Sequence, residues 1–458
     1  MFRGLTMAKT ISLKKRRSPW DAKRARTQAE GRVRAVPTGV KTIGTALCGL
    51  ALCGLGCGRM GDLDDVEFGT QGPVADDDGG VEGEPPGSGG EISESCQDGV
   101  LQPGEWCQIQ PPEEPNAGID PCSLSIADFD ADGRPDLAVP NSDWNNTGGT
   151  SVASVLRGYG NGDFDAVDSH PAGAWLPVGL AVGDFDGNGT PDIATANWQS
   201  QQAYVLTNTG TGVGSMGFEQ AVPTNLDGDA SSIAAGDMDL DGRDDLLVNT
   251  PVGIQLLRGG SGGAALYETL GVGTGTSMHA QLVDIDEDGI LDLVSVVADS
   301  EDRVIIFHGA GDGTFFEQAE WPLGGDPHWV VAGDLNMDDD LDLAIAAYEQ
   351  NAVTLYLGNA RGGFSSRTDI GVCYGPQSVA IGDMNNDGHS DFVVGCSESD
   401  TVQMWLQVPG GEFELVRWWT TGSRPVSVQV ADLNLDGQLD IGWANQFSNT
   451  IGLVISDV

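Results

Sequence analysis

Apolar residues past residue 118 come in short runs rich in branched side chains, each set against a polar, acidic break. Ser378-Val-Ala-Ile-Gly382 and Val428-Gln-Val-Ala431 precede such breaks, while Asp136-Leu-Ala-Val139 and Asp342-Leu-Ala-Ile-Ala346 follow them. Runs of this length and composition predict β-strands, and a turn-rich acidic break between two of them predicts a hairpin.

The breaks are copies of one another. Asp-x-[Asp/Asn]-x-[Asp/Asn]-[Gly/Asp]-x-x-Asp occurs seven times, starting at Asp128, Asp184, Asp237, Asp284, Asp334, Asp383 and Asp432, at intervals of 56, 53, 47, 50, 49 and 49 residues. A period near 50 predicts a propeller or another repeat array rather than separate domains.

Acidic or amide side chains at loop positions 1, 3 and 5 can converge on one hard cation, and the Asp at position 9 can close the oxygen cage. The expected ligands are Asp128, Asp130, Asp132 and Asp136, then Asp184, Asp186, Asn188 and Asp192, then Asp237, Asp239, Asp241 and Asp245. They continue with Asp284, Asp286, Asp288 and Asp292, with Asp334, Asn336, Asp338 and Asp342, with Asp383, Asn385, Asp387 and Asp391, and with Asp432, Asn434, Asp436 and Asp440. Position 6 must turn sharply; it is Gly in six loops and Asp339 in the fifth, residues that tolerate positive φ. Calcium, up to seven ions, is the expected metal, because it accepts six to eight oxygens in flexible geometry and no Cys or His occupies a liganding position. The pattern differs from the EF-hand, which needs Glu at position 12 and flanking helices. The competing expectation is a set of solvated acidic turns.

Loops and strands together resemble FG-GAP repeats of the VCBS type, similar to those of integrin alpha-subunit propellers, over roughly residues 119–458. Gly-aromatic steps such as Gly162-Asp-Phe164, Gly217-Phe218, Gly313-Thr-Phe315, Gly363-Phe364 and Gly411-Glu-Phe413 carry the second half of the resemblance, while the third repeat departs at Gly263-Ala-Ala-Leu-Tyr267. The resemblance implies an all-β fold, a seven-bladed β-propeller of four-stranded blades, with a calcium-binding loop between the two inner strands of each blade.

Pro121, Pro177, Pro327, Pro376 and Pro425 each lie seven residues before a loop, where a residue that cannot donate to a ladder marks a strand start. Small residues just before the loops (Ala127, Gly183, Gly236, Gly333, Gly382 and Ala431, with Val283 as the exception) predict close packing near the axis. After the last loop the chain supplies three strands, so a segment before residue 120, near Trp106 to Gln110, is expected to close the ring with a fourth.

Charge is divided unevenly. Of 22 basic residues 12 lie in residues 1–57, leaving 10, all Arg, against 66 acidic residues in the remainder. Such a surface excludes nucleic acid and anionic lipid as partners. Residues 1–57 read as an export signal in which Leu55-Gly56-Cys57 resembles the end of a lipobox, the alternatives being simple cleavage or a plain anchor. Residues 58–95 read as a disordered acidic, Gly/Pro-rich tether, 96–118 as a short Cys-containing segment, and 119–458 as the propeller. Cys96 through Cys107 is similar to Cys-rich modules of secreted myxobacterial proteins, which implies a Cys96–Cys107 disulfide. Cys373 precedes an inner strand and Cys396 ends the adjacent one, so strand pairing brings them together; buried free thiols are the alternative.

Catalytic signals are sparse: the five His form no metal spacing and there is no G-x-S-x-G elbow. The expected function is a secreted or cell-surface calcium-binding module that binds an extracellular protein or carbohydrate without catalysis, tied to a membrane only through a lipid on Cys57. The alternatives are a secreted polysaccharide lyase or hydrolase and an envelope scaffold. The candidate ligand surface is the variable position six residues before each loop (Cys122, Val178, Ser231, Met278, His328, Gln377, Val426), with Trp175, Trp329 and Tyr374 nearby. Asn141–Gly149 and Trp198–Gln202 are alternative exposed loops.

Overall fold

A computed structural model describes residues 114–456 apart from 143–150, 166–167, 174, 220–221, 274 and 360. The export signal with Cys57, the tether, the Cys96–Cys107 pair, Trp106–Gln110 and most of Asn141–Gly149 lie outside the described residues.

The described residues contain no helix. Their strands form seven antiparallel sheets in chain order, six four-stranded and the last three-stranded, and the sheets are the blades of a propeller. Blade one uses Ser125–Ala127, Asp136–Asn141, Val152–Leu156 and Asp168–Pro171. The innermost strands of blades two to six are Pro177–Gly183, Ser232–Gly236, Thr276–Val283, Pro327–Gly333 and Pro376–Gly382. Blade seven holds Pro425–Ala431, Asp440–Asn445 and Thr450–Val454. Each acidic loop connects the two innermost strands of its blade, as the hairpin reading requires.

The blades cohere through seven hydrophobic clusters, each shared by two neighbours. The apolar residue at loop position 2 sits in one of them every time: Phe129, Phe185, Met238, Ile285, Leu335, Met384 and Leu433 are all at most 2% exposed. Leu433 of blade seven packs with Leu124, Leu137 and Leu156 of blade one, which closes the ring by burial. The small residues before the loops make room for the next blade rather than for the axis. A Cβ on Gly236 would lie 2.7 Å from Leu291 Cδ1 of blade four, and one on Gly382 2.5 Å from Leu439 Cδ1 of blade seven.

Four innermost strands start at the expected prolines, but blade one starts at Ser125, with Pro121 making only an isolated bridge to Asn141. After Pro177, Pro327, Pro376 and Pro425 the register skips one residue, a β-bulge that leaves Val178, His328, Gln377 and Val426 without a cross-strand partner. The divergent third repeat still builds its outer strand, Ala265–Leu270, with a tight Ser261–Gly263 bridge at the tip. Beside the outermost strand of blade seven run residues 115–117: Asn116 bridges Thr450, the Ala117 N–H donates to Asn449 O at 3.0 Å, and the Ile451 N–H to Pro115 O at 2.9 Å. Cys373 and Cys396 are disulfide-bonded with a Cα–Cα distance of 5.9 Å, which ties the entry of blade six to the end of its second strand.

Candidate metal centre

The loops are folded by their own side chains. In all seven, the Asp at position 1 accepts the N–H of position 5 through one oxygen and that of position 6 through the other; in the first loop, Asp128 takes Asp132 at 3.0 Å and Gly133 at 2.8 Å. Position 6 has positive φ throughout, as expected, Asp339 included at 68°. Position 4 does as well (Ala131, Gly187, Leu240, Glu287, Met337, Asn386, Leu435). Six of these are not glycine and follow no common residue type, so the sequence carries no signal for this second left-handed step.

The Asp at position 9 is a clamp. Its Oδ2 accepts the N–H of position 2 and its Oδ1 accepts an N–H at or just past the end of the third strand, in every blade. Burial pushes these carboxyls up from 3.8: Asp136, Asp192, Asp245 and Asp440 to about 6 and Asp391 to about 7, with Asp292 and Asp342 raised as well. Asp391→Ala leaves the Met384 and Gln407 N–H groups buried without an acceptor, at about 1–3 kcal/mol each. The expected result is a lower urea midpoint in metal-free buffer; an unchanged midpoint would show that the clamp is dispensable.

Carboxylate oxygens converge in four loops. Asp128, Asp130 and Asp136, then Asp184, Asp186 and Asp192, then Asp237, Asp239 and Asp241, then Asp284, Asp286 and Asp288 each bring ligand atoms within 4.8 Å of one another. In loops five, six and seven, the Asn at position 3 points its amide at the Asp of position 5, Asn336 to Asp338 at 3.0 Å, Asn385 to Asp387 at 3.2 Å and Asn434 to Asp436 at 2.9 Å. A hard cation fits this donor set, because Asp239 Oδ1 and Asp286 Oδ1 are buried and receive no hydrogen bond. The sequence reading missed three basic residues here. Arg157, Arg258 and His308 lie beside Asp130, Asp239 and Asp286 at 2.8, 3.3 and 3.3 Å, and each directly precedes the glycine that feeds the clamp.

The candidate ligand surface needs correction. Cys122, Val178, Ser231, Met278, His328, Gln377 and Val426 are all buried, and at Val178, Met278, His328, Gln377 and Val426 a bulge turns a position that reads as variable inward. Trp329, half-buried itself, stacks on the half-buried His279 with ring centroids 3.8 Å apart. Trp175 and Tyr374 do stand exposed, at 58% and 67%, and Phe447 joins them at 51%.

Repeated antiparallel blades, each with an acidic hairpin between its two innermost strands, define a β-propeller of the acidic-loop kind. The FG-GAP-like repeat family matches residues 128–195, 185–248, 284–345, 338–394 and 383–443, more than half of the chain, and the chain belongs to that family. Each match runs from one acidic loop to the next, and the gap falls at the divergent third repeat. No curated protein matches in sequence. Two crystal structures of BBS1N in complex with ARL6DN, soaked with lead and with mercury, share the fold at TM-scores of 0.52 and 0.53 with 15% and 14% identity, over 76% of this chain and 96% of that one. A structure on recognition of non-reducing terminal N-acetylglucosamine by an Agrocybe aegerita lectin aligns at a TM-score of 0.45 and 18% identity, over 76% of this chain and 94% of that one.

Proposed function

We propose that this propeller binds calcium in its inner hairpin loops and serves as a non-catalytic binding or adhesion module, secreted or held at the cell surface, for an extracellular protein or carbohydrate. The observation that carries the calcium reading is the convergence of carboxylates in loops one to four, with a buried oxygen left without any partner in loops three and four. Export is supported by the sequence of residues 1–57 and by the Cys373–Cys396 bond, which persists in an oxidising compartment.

Topology separates two faces. The acidic loops all open on one side, whereas Trp175, Tyr374 and Phe447 lie on blade-to-blade connections and on a second-to-third-strand hairpin, which gather on the other. Exposed aromatic rings on the less acidic face are the platform a sugar or a protein side chain would stack on. The test is binding of the full chain to arrayed glycans and envelope proteins in calcium, alongside a polysaccharide degradation panel. Binding that weakens at least tenfold in Trp175→Ala or Tyr374→Ala is expected. Polysaccharide cleavage would overturn the non-catalytic reading, and binding indifferent to both rings would remove this face from it.

A further inference from the structure

We propose, resting on the calcium reading, that Arg157 and Arg258 are built-in counter-ions that divide six of the seven loops into two classes: weak calcium sites in blades one and three, and tight ones in blades two, five, six and seven, with blade four, where His308 takes the same place, outside both.

Position in the fold is the first argument. In blades one, three and four the residue just before the N–H that feeds the position 9 clamp stands beside loop position 3. In blade one it is Arg157, whose Nε lies 2.8 Å from Asp130 Oδ2; in blade three Arg258, whose Nε lies 3.3 Å from Asp239 Oδ2. His308 takes the same place in blade four, with Nδ1 3.3 Å from Asp286 Oδ2. In blades two, five, six and seven the place belongs to Thr207, Leu357, Leu406 and Ile455.

Matching within the chain is the second. The three loops with a basic neighbour carry Asp at all four liganding positions, and the four loops without one each replace one Asp by Asn: Asn188, Asn336, Asn385 or Asn434. Both arrangements leave the same net charge when the basic neighbour is ionised. Strand pairing does not require this match, because the hairpins share one register whichever residue stands there. It follows if a fourth carboxylate must be compensated while no metal is bound, since an uncompensated buried charge is strongly destabilising.

The third is competition for one oxygen. The Asp130 side chain is fully buried, and the Arg157 guanidinium meets it as a charge contact without an aligned hydrogen bond. Arg157 is 34% exposed along its side chain and can swing outward, while Arg258, 48% exposed, also donates to Asp312 O at 2.8 Å and lies over the Tyr267 ring. A calcium ion entering blade one therefore has to displace a resident cation, whereas in blade six it meets Leu406. Ligand charge is what tunes calcium affinity between otherwise similar sites.

The test uses the full chain, with bound calcium counted by native mass spectrometry during titration and unfolding followed in calcium-free buffer. Wild type is expected to hold fewer than seven tight ions. Arg157→Leu should gain one, its first-blade site tightening roughly tenfold, while its calcium-free melting temperature falls by several degrees. Combining Asp130→Asn with Arg157→Leu rebuilds the blade-six arrangement and should restore the calcium-free melting temperature. Seven equivalent tight ions in wild type, or an Arg157→Leu chain unchanged in both readouts, would overturn the two classes and leave the calcium reading standing. No bound ion at all would overturn the calcium reading itself.

Discussion

The full chain is expected to melt more than 10 °C higher in millimolar calcium than after exhaustive stripping. Each site held at about 100 times its dissociation constant adds roughly 2.7 kcal/mol, so four tight sites contribute about 11 kcal/mol. That is comparable to the whole stability of an ordinary domain, about 5–15 kcal/mol. For a chain of this size one kcal/mol moves the midpoint by about 1–2 °C, which places the shift between about 11 and 22 °C without requiring the weak sites.

Stripping should lower the midpoint without abolishing the fold. The loops are already closed by hydrogen bonds that Asp128, Asp184, Asp237, Asp284, Asp334, Asp383 and Asp432 accept from the N–H groups of the turns that follow them. Interblade clusters anchored by Phe185, Leu335 and Leu433 need no ion. A single cooperative transition is therefore expected in both conditions. Magnesium should substitute poorly, because it holds its waters and demands near-ideal octahedra. Equal melting temperatures with and without calcium would reduce the loops to acidic turns, and the binding-module reading would lose the ion that supports it.

What could be read in the sequence follows from what depends on local spacing. Alternate carboxylates, a turn residue at position 6 and a proline seven residues upstream are all set within one hairpin, and the strands at Pro177, Pro327, Pro376 and Pro425 start where those prolines stand. The Cys373–Cys396 bond was equally local, being a consequence of antiparallel pairing of two adjacent strands. Features decided by a third strand or by a bulge were not legible. Counting from the loop places His328 and Gln377 on the surface, but a skipped register after each proline turns them inward; the proline marks a strand start as readily as a bulge, so it does not by itself announce the skip. Arg157 lies 27 positions beyond Asp130 and on a different strand, so their contact appears only once the third strand is laid against the loop. That a segment before residue 120 borders blade seven was legible from the missing fourth strand, but that residues 115–117 do so was not, since they have no local relation to the end of the chain.

The stripped and calcium-loaded proteins are expected to respond to pH in opposite directions. In the stripped chain the clamp carboxyls are harder to ionise than in an unfolded chain, rising from 3.8 to about 6 at Asp136, Asp192, Asp245 and Asp440 and to about 7 at Asp391, because burial disfavours their charged form. Between pH 4 and 7 the folded state therefore holds more protons than the unfolded one, and its stability falls as pH rises through that window. Asp391, fully buried, supplies the largest single share, a few kcal/mol at most at about 1.36 kcal/mol per unit. With calcium present the sign reverses, since the ligands must lose their protons to bind the ion and acidification releases it. Melting temperatures at pH 5 and pH 7.5 should thus fall with rising pH in calcium-depleted buffer and climb in millimolar calcium. General repulsion in a chain of net charge -46 would tilt the stripped curve the same way. Asp391→Asn separates the two causes: it removes one raised carboxyl and barely changes the total charge, so it should flatten the stripped slope. A slope identical to wild type would assign the effect to overall charge, and a stripped chain more stable at pH 7.5 than at pH 5 would show that burial does not govern these seven carboxyls.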